Sequence, residues 1–78
     1  MKLYVLTQNE ATGYDTYDSV VVCAPDEETA RTICPSSKNH WDDSGAWCKS
    51  PKSVSVEYIG EAAGHVKQGV VLASFNAG

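Results

Sequence analysis

Residues 19 to 35 read Ser-Val-Val-Val-Cys-Ala-Pro-Asp-Glu-Glu-Thr-Ala-Arg-Thr-Ile-Cys-Pro, and the apolar period changes inside them. Ser19–Ala24, with three valines in a row, carries the β-branched side chains that suit a pleated strand. Asp26 is a good N-cap, and Glu27 and Glu28 follow in the first turn, where negative charge suits the helix dipole. Ala30, Ile33 and Cys34 fall at i, i+3 and i+4 and form one apolar stripe. Glu27 and Arg31 stand i, i+4 in the favourable order. Pro35 ends the helix after little more than two turns, about 12–14 Å.

Outward from this stretch, Lys2–Gln8 reads as a first strand and Asn9–Asp18, with Gly13, as a loop or open hairpin tip. Nothing between the two strands is long enough for a helical crossover, so they are expected to pair antiparallel. On the other side, residues 35–51 hold both tryptophans and two of the cysteines with little periodicity. Loops of that length inside a compact domain are uncommon and usually functional or disordered, and two tryptophans argue against disorder. Val54, Val56 and Tyr58 alternate with Ser55 and Glu57, a strand with one wet face. Gly60–Gly69 is a connecting turn and Val70–Phe75 a last strand. The expectation is a single α+β domain over residues 1–78. Its order is β-β-α-β-β: a small four-stranded, mainly antiparallel sheet with one short helix and a long Trp-containing loop.

Three of these four strands are apolar on both sides, for example Leu3 and Val5 against Tyr4 and Leu6. A sheet apolar on both faces needs cover on both, and one short helix is too little. The second face is expected to be covered by the 35–51 loop, by another copy of the chain, or by both, which makes a homo-oligomer the expectation.

The chain has 78 residues and a mass of 8.4 kDa. It is 42% hydrophobic and 21% charged, as in ordinary globular domains and unlike a disordered tail. Its longest apolar runs, near 20–24 and 70–73, fall far short of the roughly 20 residues that span a bilayer. No secretory h-region follows Lys2, so no membrane partner is expected and a cytosolic location is. Ten acids against six bases give a net charge of −4, with no basic stripe to release counterions from duplex nucleic acid. Glu10, Asp15, Asp18, Asp26, Glu27 and Glu28 lie in a stretch without Lys or Arg. The count of three cysteines is odd, so free thiols are expected, with Cys23 a core residue and Cys34 and Cys48 able to approach across their loop.

Two segments carry candidate chemistry. Tyr14, Asp15, Tyr17 and Asp18 combine rings for stacking with carboxylates for hydroxyls or amines; the plainer alternative is a hairpin tip packed on the sheet. Lys38, His40, Trp41, Trp47 and Lys49, with Asp42, Asp43 and Lys52, supply aromatic faces for a base and cations for phosphate. The alternative is that both tryptophans plug the sheet. Cys34, His40 and Cys48 lack the close-paired spacing of structural zinc sites, so no metal and no cofactor are expected. No nucleophile elbow or Gly-rich phosphate loop is present, and the chain reads as a non-enzyme.

Gly13–Val22 with Ala24–Arg31, and Val56–Ala62 with Gly69–Gly78, resemble a family of small bacteriophage-encoded accessory proteins. The resemblance implies a phage protein made in the host cytoplasm. Several phage families of this size counter host defence by binding nucleotide-like immune signals in oligomeric cages without cleaving them. By that analogy the expected function is anti-defence sequestration of a small anionic nucleotide-like ligand, held between the Tyr14–Asp18 and Lys38–Lys52 loops. The alternative is a protein that blocks a host enzyme through the acidic stretch at 10–28.

Overall fold

A computed structural model describes residues 1–36, 41 and 45–76. Strands β1 (Lys2–Thr7) and β2 (Thr16–Ala24) precede helix α1 (Glu27–Arg31), and a 3-10 turn (Pro51–Ser53) leads into β3 (Ser55–Glu61) and β4 (Gly69–Asn76). The sheet runs β3-β1-β2-β4, and every neighbouring pair is antiparallel. The small α+β architecture expected from the sequence is therefore the one observed. The β1–β2 hairpin occupies its centre, with Val5 opposite Val21 and Leu6 opposite Val20.

The strand period of two sorts the side chains. Tyr4 and Leu6 of β1 join Val20, Val22 and Ala24 of β2 on one buried face. Opposite them, β3 contributes Val56 and Tyr58, and β4 contributes Ala73. Ala30, Cys34, Trp41, Trp47, Cys48 and Val54 pack with this face. The described parts of the 35–51 segment thus lie on the same side as the helix and do not supply the cover expected for the second face.

Among the described residues, that second face is covered at one end only. Cys23 is fully buried there, with its thiol 3.8 Å from the Val66 carbonyl in the connector between β3 and β4. The connector is tied to the sheet end where the Ala62 amide donates to Met1 O at 2.9 Å. Val5 and Val21 remain half-buried, and their neighbour Leu72 is 69% exposed. Bulges re-aim both outer strands: Ile59 of β3 and Val71 of β4 are each left without an opposite residue, as is Asp18 of β2.

Helix α1 is shorter than the apolar stripe suggests. Asp26 caps it, its Oδ1 accepting from the Thr29 amide at 2.8 Å. It stops at Arg31, however, and Thr32 and Ile33 close it with amides bonded three residues back. No helix of the described residues is long and apolar enough to cross a membrane.

Candidate functional site

The two segments singled out by sequence meet at one end of the sheet. The Tyr17 amide donates to Ala46 O at 2.9 Å, joining the start of β2 to the Trp-bearing loop. Glu10 clasps the far end of that loop, its two carboxylate oxygens accepting from the Lys49 amide at 3.1 Å and the Ser53 hydroxyl at 2.8 Å. These bonds, the Lys49 amide first, hold the Glu10 carboxyl below its ordinary pKa. Gln8 organises the inner turn, with Oε1 accepting from the amides of Glu10 and Ala11 and Nε2 donating to the carbonyls of Ala11 and Tyr17. Asp15 adopts φ +62°, a conformation Asp tolerates better than most residues. Glu10 does not stand out in sequence, because its partners Lys49 and Ser53 lie far along the chain.

Within this junction the candidates separate. Tyr14 is 76% exposed, and Asp15, Asp18 and Lys49 are also on the surface. Tyr17 packs against Phe75, ring centroids 4.8 Å apart, at the margin of the core. Trp47 is only 2% exposed, so its faces are occupied by the protein, and its Nε1–H finds no acceptor among the described residues. Trp47 also borders a shallow 240 Å³ hollow with Glu10, Thr12 and Lys49. Lys38, His40, Asp42 and Asp43 lie outside the described residues.

Trp41 is placed differently. It is half-buried, and its indole Nε1 donates to Cys48 O at 2.9 Å, which fixes the ring on the loop. One side borders an open groove of about 1150 Å³ formed between the segment after α1, the Trp-bearing loop and the start of β4. Thr32, Ser36, Lys67 and Gln68 bring polar groups to it, and Ile33 and Val70 bring apolar surface. Its volume lies just above the roughly 300–1,000 Å³ usual for small-molecule sites. None of residues 14–18 is among the described residues that line it. Lys67 and Gln68 were missed in sequence because they lie in a connecting turn. The connector's path between the two outer strands is what carries them to the groove.

The thiols take no part in open chemistry. All three cysteines are free and buried. Burial pushes the Cys48 thiol above its ordinary pKa, and its Sγ lies 3.4 Å from Ser50 O. Cys34 Sγ lies 3.4 Å from Ser36 Oγ. Among the described residues no three His, Cys, Asp or Glu side chains are grouped as metal ligands. Comparison of the chain with protein-family models, with characterised proteins and with solved structures finds no match.

Proposed function

We propose that this is a non-catalytic binding protein whose groove takes a small anionic aromatic molecule of the nucleotide type. In the phage setting implied by the sequence resemblance, it would act by sequestering such a molecule from host defence. The observation that supports the reading is Trp41, an indole pinned by its Nε1–H to Cys48 O beside a groove that also carries Lys67. A ring held in place stacks on a base without first losing rotamer freedom, and base–aromatic stacking contributes roughly 1–3 kcal/mol. Lys67 supplies a point charge for phosphate, and Thr32, Ser36 and Gln68 supply hydrogen bonds for sugar and base. The rival reading, a host-enzyme blocker with one acidic contact surface, is weakened by the fold. Asp15 precedes the nine-residue β2 and Asp18 lies near its start, whereas Asp26, Glu27 and Glu28 follow its end, so the acidic stretch is divided between opposite ends of a strand.

Tryptophan fluorescence tests the proposal, because Trp47→Phe leaves Trp41 as the sole indole. Titration of that variant with ATP, ADP and a cyclic dinucleotide should quench emission saturably, and Lys67→Ala should weaken the response. The absence of quenching and of thermal stabilisation with all of these probes would overturn it.

A further inference from the structure

The two outer strands of the sheet are built to different rules. Along β3, Glu57 and Glu61 place two carboxylates, and the Tyr58 hydroxyl donates to Glu61 Oε2 at 2.6 Å. Charges of this kind are how sheets keep an open edge from pairing with another chain. β4 reads Gly-Val-Val-Leu-Ala-Ser-Phe-Asn, eight residues without an ionisable side chain or a proline. Val70, Val71, Leu72 and Phe75 are 45–69% exposed along it. The bulge at Val71 interrupts its first part and leaves Leu72–Asn76 as a run broken on the β2 side only by the Asp18 bulge.

We infer that β4 is the contact strand of a homodimer, pairing antiparallel with β4 of a second copy to give one eight-stranded sheet. Charge selects the occupant. In a two-fold contact every group faces a symmetry copy of its own surface. A strand carrying charges of one sign would therefore meet like charges, and of the two outer strands β4 carries none. Pairing of β3 with β3 would bring Glu57 and Glu61 close to their own copies. Pairing of β3 with β4 is head-to-tail and would run on into rings or filaments, not a dimer. The same contact extends the partly covered second face, because Leu72 sits beside Val21 and Val5 there and would meet apolar surface from the second copy. This inference does not depend on the ligand proposed for the Trp41 groove.

Sedimentation equilibrium of the intact chain at micromolar concentration should give twice the 8.4 kDa chain mass. Leu72→Lys adds a like charge to each copy at an exposed position, and should return the mass to a single chain with an unchanged far-UV circular dichroism spectrum. Ser74→Lys, on the same strand, should do the same and serves if Leu72→Lys fails to fold. Glu57→Lys on β3 should leave the dimer intact. A single-chain mass for the wild type would overturn the inference. So would a dimer that survives both β4 variants, or one that is lost on Glu57→Lys.

Discussion

Trp41 and Trp47 lie six positions apart and do different work. Trp47 stands between Ala46 and Cys48, apolar neighbours that hint at an interior position, and it is buried in the core. Trp41 stands between His40 and Asp42, in polar company, and lines the groove. The sequence left both tryptophans open between core and site, and the groove was not legible in it, because Lys67 and Val70 reach the groove from the far end of the chain. Trp47→Ala should cost roughly 3–5 kcal/mol through the cavity it leaves, enough to unfold a small domain of this size in a urea titration. Trp41→Ala should leave the fold standing and cost nucleotide affinity. Equal loss of stability in both variants would put Trp41 in the core as well. Two carboxylates give the acid limb of stability. Glu10 is held below its ordinary pKa chiefly by the Lys49 amide, and Asp26 chiefly by the Thr29 amide. A depressed folded-state pKa contributes stability that is present above the ordinary carboxylate range and is lost as pH falls through the folded value. Glu10→Gln and Asp26→Ala should therefore lower Tm at neutral pH, and the gap to wild type should close on acidification. A gap that stays constant down to acid would show that the carboxylate charge is not what these bonds use.

Strand positions were readable because β-branched and alternating patterns are local, and all four strands appear where such patterns stand. Their ends moved where long-range bonds intervene. β2 begins three residues earlier than its valine run suggests, at Thr16, where Asn76 and Ala46 give the backbone partners. The helix was overextended for the converse reason. Its apolar stripe is real, since Ala30, Ile33 and Cys34 all pack with the core, but Cys34 does so from outside the helix. What holds so short a helix lies elsewhere in the chain. The Arg31 guanidinium approaches Glu27 only loosely, at 3.6 Å with the acid well exposed, while Nη1 donates to the carbonyls of Pro51 and Val54. The i, i+4 pattern found the visible partner and missed the two that matter more. Arg31→Met should thus destabilise by about 1.5–3 kcal/mol, the worth of hydrogen bonds from a charged donor, whereas Glu27→Gln should cost no more than about 0.5 kcal/mol. Urea midpoints of the two variants decide it, and equal midpoints would return the weight to the surface pair.

Sequence indicated that both sheet faces were apolar, but it could not say which segment goes to which face. That depends on strand order, and the order β3-β1-β2-β4 requires the connector between β3 and β4 to pass from one outer strand to the other. The cysteines report on the resulting asymmetry, since they are divided between the two layers. Cys34 and Cys48 lie in the core beneath the helix and the Trp-bearing loop, among side chains from several elements. Cys23 is on the opposite face near the connector, which is tied down by the Ala62–Met1 bond and an internal Val66–Ala63 bond. Opening that connector breaks few apolar contacts, so it should cost less than global unfolding. All three thiols are buried, and a thiolate is needed for reaction. A thiol reagent at neutral pH should therefore label the native protein slowly, with Cys23 first and Cys48, whose thiol pKa is raised by burial, last. Mass spectrometry of the labelled peptides over time gives the order. If the three cysteines react together at the rate of global unfolding, the two faces open as one cooperative unit and the connector is no weaker than the core it partly mirrors.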